Sequence, residues 1–210
     1  MRLVRQVLGV SLALWLLLGL GYPLVTTAIA GVLFPRQAAG SPVVVHGVVV
    51  AAQNVGQSFG GTGYFWGRPS ATVSLRIGRP EPYNALNSGP SNLGPSNPVL
   101  LARIRARIRR LVAATPGLTA RRIPADLVEG SGSGLDPDIS PAAARIQIPR
   151  VARATGLSRA FLGRLVAEFT RGPEFGLIGR PTVNVTQLNL RLAEVLGQVP
   201  HGGGRGRHRR

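Results

Sequence analysis

The chain has 210 residues, which is long enough for one sizeable domain with accessory segments. Its 25 basic side chains are all Arg and outnumber 8 acidic ones, giving a net charge of +17, and Cys is absent. The lack of Lys excludes a Walker-type phosphate loop and Schiff-base chemistry by this chain alone. The lack of Cys excludes disulfides, thiol nucleophiles and thiolate metal sites.

The basic excess by itself would suggest a nucleic-acid partner. The Arg side chains are, however, spread along the chain, with dense clusters only at residues 103–110 and 205–210. The sequence shows no zinc-finger spacing, no aromatic RNA-binding signature and no clear helix-turn-helix pattern. Arg on solvated helix faces explains the charge, and we expect no nucleic-acid partner.

The N-terminal part predicts a membrane-spanning helix. Residues 7–34 carry no charge and are mostly aliphatic, and this length exceeds the roughly 20 apolar residues needed to cross a bilayer. Two Arg precede the segment and one follows it closely. The positive-inside rule therefore places residues 1–6 in the cytoplasm and the rest of the chain outside. Pro23 predicts a kink within the helix.

A cleaved signal peptide is the alternative interpretation of the same residues. The two early Arg would form its basic region, residues 7–20 its apolar region, and Ala-Ile-Ala at residues 28–30 a small-residue cleavage site. The apolar character continues to residue 34, past that site, which favours an uncleaved anchor. Both interpretations export the remaining domain.

Residues 35–199 predict an exported α+β domain of short strands and four or more helices. The basic tail at residues 200–210 has no means of packing, and we expect it to be disordered. β-branched residues at 43–50 predict a buried strand pair or one interrupted strand. Residues 182–185 predict another short strand. Residues 123–128, which include a Pro, predict a short edge strand.

Capping residues mark the helix starts in this domain. Asn97, followed by Pro, predicts the start of a helix whose apolar residues recur at spacings of three and four. Ser140, again followed by Pro, predicts a second start, and Pro149 splits the following stretch into two short helices. A further helix begins near Ser158, and a last helix ends at Gly197.

Residues 53–98 form a long stretch without clear periodicity, rich in Gly, Pro, Ser and Asn. Such loops in compact domains are usually functional or disordered, and the aromatic residues here argue against disorder. The most unusual part is GYFWGRPSA, in a chain with only 5% aromatic residues. Because side chains alternate along an extended segment, we expect Phe65 to pack inward. Tyr64, Trp66 and Arg68 should lie nearer an interface.

The sequence SGSGLDPDISP at residues 131–141 has two interpretations. The first is a ligand or ion loop built from Ser hydroxyls, Gly amides and the carboxylates of Asp136 and Asp138, although the distal Glu of a calcium loop is missing. The second has Asp136 in an Asx turn and Ser140 at a helix start. That interpretation leaves the alternation of Gly and Ser unexplained.

The residues predict no catalytic centre. The His residues are scattered, the 8 carboxylates are mostly isolated, and no nucleophile-elbow motif occurs. Asp136 and Asp138 are close enough to share a proton, but beside a Pro and a capping Ser they are more simply turn residues. We expect no catalytic and no metal-binding residue, so the chain should act by binding.

Several features occur together in one order: the single N-terminal span and the sequences GQSF…YFWGRPSA, YNALNSGPSNLGPSNP, VEGSGSGLDPDISPAAARIQIPRVAR and VNVTQLNLRL. This arrangement closely resembles the KdpC family, the C subunits of the Kdp potassium-transporting P-type ATPase, from residue 1 to about residue 199. Two small departures lie in turns. Pro90 stands where the family pattern has Gly, and residues 60–63 are richer in Gly.

The resemblance implies an inner-membrane complex in which this single-pass chain accompanies a potassium-translocating subunit, a P-type ATPase subunit and a small single-span subunit. The C subunits are needed for assembly and activity and are described as catalytic chaperones that raise the affinity of the ATPase subunit for ATP. Potassium is the transported ion, ATP is used through the complex, and a nucleotide role would single out Gln147. Candidate partner contacts are Tyr64, Trp66, Arg68, Ser70, Asn92, Asp136 and Asp138.

The predicted topology conflicts with direct nucleotide contact, because ATP is not available outside the membrane, where residues 36–210 are placed. Gln147 could equally form hydrogen bonds within the core. An exported domain can still alter ATP turnover by biasing its partners' conformations, since coupling requires only differential contact with two states. Alternatively, the domain covers the potassium access side. A different class of function is a signal-cleaved, exported protein that binds a small ligand through SGSGLDPD and the aromatic patch.

Overall fold

The computed structural model describes residues 1–45 and 47–198. They form two compact units, the first comprising Met1–Pro42 and the second beginning at Val43. The fold is α+β, with one long apolar helix, short strands in two small sheets and several further helices, which confirms the predicted class. The basic tail predicted at 200–210 lies outside the described residues.

The first unit contains a long apolar helix. It comprises α1 (Arg2–Leu16), a π-helical turn (Leu17–Gly21) and α2 (Tyr22–Leu33), and a short α3 (Pro35–Ala38) follows. The 32 residues from Arg2 to Leu33, at a rise of about 1.5 Å each, span about 48 Å, more than the roughly 30 Å of a bilayer core. By length and composition this helix can cross a membrane.

The sequence predicts a kink at Pro23. The structure has a π-helical turn, Leu17–Gly21, just before this Pro, within one continuous helix. Pro has no N–H and therefore cannot bond to the carbonyl four residues earlier, at Gly19. That carbonyl lies inside the turn. A single π-turn is a common way for a helix to absorb a missing bond of this kind.

The second unit begins with a small sheet in which β1 (Pro42–Val45) pairs with β2 (Val48–Ala52). This confirms the strand pair predicted at residues 43–50, but its predicted burial is wrong, since Val44, Val48 and Val49 are exposed. The strands are rich in Val, whose branched side chains suit a pleated surface.

A second sheet has three antiparallel strands in the order β3 (Asp138–Ile139), β5 (Thr182–Asn184) and β4 (Thr170–Arg171). The central β5 confirms the strand predicted at residues 182–185. The sequence does not reveal β3 or β4, because two residues are too few to show an alternating pattern. Val183 pairs with a residue on each neighbouring strand.

Among the described residues the second unit has five α-helices: α4 (Pro98–Ala114), α5 (Pro141–Arg145), α6 (Ile148–Thr155), α7 (Arg159–Glu168) and α8 (Val185–Val195). The predicted caps are confirmed, since the side chains of Asn97, Ser140 and Ser158 each accept a hydrogen bond from a first-turn N–H. Gly197, with φ of 65°, follows α8 as predicted.

The edge strand predicted at residues 123–128 is wrong. This stretch contains a 3₁₀-helical turn, Ala125–Leu127, preceded by another at Ala120–Arg122. The N–H of Leu127 donates to the carbonyl of Pro124 at 3.2 Å. The backbone therefore bonds within the turn, and not to a neighbouring strand. The apolar residues of this stretch reach the core from these turns, with Leu127 only 4% exposed.

The core of the second unit lies where α5 and α8 pack on the three-stranded sheet and α7 packs on α5 and α6. Its fully buried side chains come from all of these elements and include Ile139, Val151, Leu162, Val183, Leu188 and Leu192. Phe65, which lies outside any helix or strand, has 0% of its surface exposed within this core. The expectation that Phe65 packs inward is confirmed.

Candidate functional site

The aromatic segment, residues 62–68, passes through the core without forming a strand. At Phe65 and Trp66 its backbone N–H and carbonyl groups bond to side-chain amides, where those of a strand would bond to a neighbouring strand. Asn189 on α8 accepts a hydrogen bond from the N–H of Phe65 at 2.8 Å and donates one to its carbonyl at 2.8 Å. Gln147 accepts from the N–H of Trp66 at 2.8 Å and donates to its carbonyl at 3.0 Å. The N–H and carbonyl groups of two consecutive buried residues are thus all hydrogen-bonded.

Arg150 on α6 fixes the start of the aromatic segment. It is only 2% exposed, and its Nη1 donates to the carbonyls of Thr62 at 2.5 Å and Tyr64 at 2.9 Å. Its Nη2 donates to Oε1 of Gln147 at 2.6 Å. Burial, with a smaller contribution from the charge of Arg110, lowers the pKa of Arg150 to about 10, so the side chain stays charged at neutral pH.

Trp66 is held by two guanidinium groups. The guanidinium carbons of Arg150 and Arg110 lie 3.9 Å and 4.2 Å from its ring centroid, at cation–π distance. Its Nε1 donates to the carbonyl of Gly61 at 2.9 Å. Only 9% of Trp66 is exposed, which corrects the expectation that alternation turns it toward the surface. Tyr64 is half-buried, and its hydroxyl donates to Oε1 of Gln198 at 2.9 Å.

Arg68 and Asp136, predicted separately from two motifs, meet in the structure. Nη1 of Arg68 lies 3.1 Å from Oδ2 of Asp136, and its Nη2 donates to the carbonyl of Gly130 at 3.2 Å. Both side chains are about one third exposed or less, so the pair contributes modestly to stability. Oδ1 of Asp136 accepts the N–H of Asp138 at 2.9 Å, which confirms the Asx turn.

The two carboxylates of this loop have separate partners, as expected for turn residues. Asp138 accepts a hydrogen bond from the hydroxyl of Thr182 at 3.1 Å, across the β3–β5 pair. Burial is the main reason that the pKa of Asp138 is raised, and the charge of Asp136 adds to it, while the Thr182 hydrogen bond opposes it. Asp136 is instead bound to Arg68.

The second half of the SGSG sequence, Ser133 and Gly134, has a structural explanation. The carbonyl of Ser133 accepts hydrogen bonds from the N–H of Gly89 at 2.8 Å and the hydroxyl of Ser88 at 3.0 Å. Gly134 has φ of 69°, and a Cβ there would lie 2.9 Å from the carbonyl oxygen of Gly89. The loop therefore packs closely on the irregular stretch, and several of the groups that a ligand loop would offer, the carbonyl of Ser133 and the carboxylate of Asp136 among them, are bonded within the chain.

Ser70 organises the other side of the irregular stretch. Its Oγ lies 2.9 Å from Oγ1 of Thr72 and accepts the N–H of Tyr83 at 3.0 Å. The hydroxyl of Tyr83 donates to the carbonyl of Arg68 at 2.6 Å, and a Cβ on Gly67 would lie 2.8 Å from that hydroxyl. These bonds order a segment without regular secondary structure. Asn92, another predicted contact residue, is exposed with φ of 53°.

Tyr83 should titrate at unusually high pH. Burial chiefly, and the charge of Asp136, raise its pKa from 10.0 to about 12. Because the folded-state pKa is the higher one, this contribution to stability is complete below about pH 10 and is lost as pH rises toward about 12. In a pH titration followed by phenolate absorbance, we expect a Tyr83→Phe variant to lose the step centred near pH 12. Tyr83 is one of the three Tyr residues of the chain. If the absorbance curves of the variant and the unmodified chain coincided above about pH 11, this would be contradicted.

Gln147 lies inside the core, whereas contact with a nucleotide requires an accessible side chain. It is 0% exposed, and its amide is occupied by Trp66, Arg150 and the carbonyl of Ala143 at 3.1 Å. This matches the interpretation that Gln147 forms hydrogen bonds within the core. Sequence reasoning missed Arg150 and Asn189. A usable signal was present, since Asn189 falls among the apolar residues of α8, where Asn is unfavourable without a specific partner.

The described residues contain no group of three or more His, Asp or Glu side chains that could hold a metal ion. The arrangement around the aromatic segment consists of hydrogen bonds and stacked cations. Such an arrangement can fix a surface in one conformation.

Comparison with known proteins gives a near full-length match. The family model "K+-transporting ATPase, c chain" (KdpC) matches residues 4–194. Curated proteins named "Potassium-transporting ATPase KdpC subunit" include one from Methylobacterium nodulans, 50% identical over 200 residues, covering 93% of this chain and 98% of the relative. Those of Methylibium petroleiphilum and Variovorax paradoxus are 53% and 51% identical, each covering 90% of this chain and 96% and 94% of the relative. The resemblance seen in the motifs is confirmed, and the chain belongs to the KdpC family.

Proposed function

We propose that this chain is a membrane-anchored, non-catalytic subunit of a potassium-transporting P-type ATPase complex. The observation that carries the proposal is the family match over residues 4–194, which includes the N-terminal helix as well as the α+β unit. Relatives with about half of their residues identical bear the name of a potassium-transporting ATPase subunit and match over nearly their whole length. The transported ion is potassium, and ATP is hydrolysed in another subunit.

The subunit acts by contact with its partners: the potassium-translocating subunit, the P-type ATPase subunit and the small single-span subunit. Two features support this mode of action. The aromatic segment is fixed by Asn189, Gln147 and Arg150, so the surface around it is held in one shape. The amide of Gln147 is engaged inside the chain, so an effect on ATP affinity is better explained by a bias on partner conformations than by nucleotide contact.

Assembly is tested by affinity purification of the tagged full chain from detergent-solubilised membranes. We expect the potassium-translocating and ATPase subunits to be recovered with it in comparable amounts. Recovery of the chain alone, or release of a soluble form lacking the N-terminal helix, would support the exported ligand-binding alternative instead.

The proposal includes an orientation in the inner membrane with the N-terminus in the cytoplasm. The absence of Cys allows single labelling sites to be introduced. We expect Arg105→Cys, at an exposed position of α4, to react with a membrane-impermeant maleimide in intact spheroplasts. A Cys inserted after Met1 should react only after permeabilisation. The reverse pattern would place the α+β unit in the cytoplasm and restore direct nucleotide contact as an option.

A further inference from the structure

A cavity of about 230 Å³ lies beside the aromatic segment. Three guanidinium side chains line it, those of Arg68, Arg107 and Arg110, together with the rings of Phe59, Trp66 and Tyr83. The cavity has no Asp or Glu in its lining. Its charge is therefore positive, and its walls combine cations with flat apolar surface.

Two of the three guanidinium groups have no carboxylate partner within the described residues. Arg107 donates to the carbonyl of Val128 at 2.9 Å, and Arg110 to the carbonyl of Gly60 at 3.3 Å. Only Arg68 is paired, with Asp136, and its Nε is buried without a hydrogen-bond partner among those residues. Arg68 and Arg107 are half-buried and Arg110 is exposed, and the buried Nε of Arg68 is a donor that an anion bound between them could satisfy.

The size of the cavity limits what the anion can be. At about 230 Å³ it is smaller than the roughly 300–1,000 Å³ of sites for nucleotide-sized or drug-sized molecules. A single carboxylate side chain fits this volume, and a guanidinium fork binds a carboxylate through two parallel hydrogen bonds. The apolar walls from Phe59, Leu111 and Leu127 suit the aliphatic stem of such a side chain.

The charge balance of the chain points to a protein as the source of this carboxylate. The chain has 8 acidic side chains against 25 basic ones, so it cannot neutralise its own Arg residues. Interfaces between subunits favour Arg and aromatic residues and pair potentials of opposite sign. We propose that this Arg-lined cavity binds an Asp or Glu side chain from an acidic segment of another subunit. The inference rests on the proposed function, because it requires a partner subunit.

The test is photocrosslinking within the purified complex. Ser58 is exposed and lines the cavity, so a benzoylphenylalanine placed there should crosslink to the segment that occupies it. We expect mass spectrometry to identify a segment of another subunit that carries Asp or Glu. The Arg110→Gln change should reduce the crosslink several-fold, whereas Arg109→Gln, on the same helix but outside the cavity, should not.

The outcomes separate this inference from the proposed function. A complex that is recovered intact but yields a crosslinked segment without carboxylates, a crosslink to lipid, or no crosslink would overturn the inference alone. Equal yields from the two Arg variants would also overturn it. Failure of the complex to co-purify would instead overturn the proposed function on which the inference depends.

Discussion

Replacing Phe65 with Ala is expected to lower the free energy of unfolding by about 3–5 kcal/mol, the range for truncating a fully buried aromatic side chain. Phe65 is 0% exposed and packs in the main core, although it belongs to a stretch without regular secondary structure. Its backbone is held on both sides by Asn189, so the segment cannot easily shift to fill the space left by the ring. Urea unfolding of the detergent-solubilised chain, followed by near-ultraviolet circular dichroism, measures the change.

Phe175 provides a matched control for this substitution. It is 90% exposed, and Phe175→Ala should change the unfolding free energy by no more than about 0.5 kcal/mol. Similar losses from the two substitutions would mean that burial does not govern their effect. In that case the aromatic segment would not be part of the core in solution.

The second large effect is expected from Arg150→Met, which should cost about 3 kcal/mol of unfolding free energy. Met keeps an apolar stem but removes the donors to the carbonyls of Thr62 and the half-buried Tyr64 and to the buried Oε1 of Gln147. Acceptors that lose a partner away from water cost about 1–3 kcal/mol each, and this outweighs the relief of no longer burying a charge. The same urea titration reports the loss.

Arg153→Met is the control for Arg150→Met, since Arg153 lies on the same helix and is exposed. We expect a change within about 0.5 kcal/mol from it. An Arg150→Met variant as stable as Arg153→Met would show that the carbonyls find other donors. The role given to Arg150 would then be wrong.

The helices of this chain are largely predictable because their signals are local. Asn97, Ser140 and Ser158 each precede a helix and bond to its first turn, and the apolar helix at the N-terminus is evident from composition. The two-residue strands β3 and β4 are not predictable in the same way. The pairing of Ile139 with Val183 joins residues far apart in sequence, and two-residue strands carry no pattern.

The site was only partly predictable for a related reason. The importance of the aromatic segment follows from its composition, and the inward position of Phe65 follows from alternation. The burial of Trp66 does not, because it depends on Arg150 and Gln147, which lie more than 80 residues later in the chain. A buried Arg without a carboxylate partner looks, in sequence, like any solvent-exposed Arg.

The structure offers a physical basis for the proposed action through contact with partner subunits. Its irregular stretch is ordered by side-chain hydrogen bonds to backbone groups, such as Tyr83 to the carbonyl of Arg68 and Asn184 to the carbonyl of Gln53. Order of this kind preserves a non-repetitive surface that a regular sheet could not form. A preformed surface also lowers the conformational entropy lost on binding a partner.

We propose that this chain supports potassium-stimulated ATP hydrolysis by other subunits without catalysing it. The direct measurement is ATP hydrolysis, with and without potassium, by the purified complex, by the same subunits prepared without this chain, and by this chain alone. We expect potassium-stimulated hydrolysis only in the preparation that contains all subunits. Hydrolysis by the isolated chain, or full activity in its absence, would contradict it.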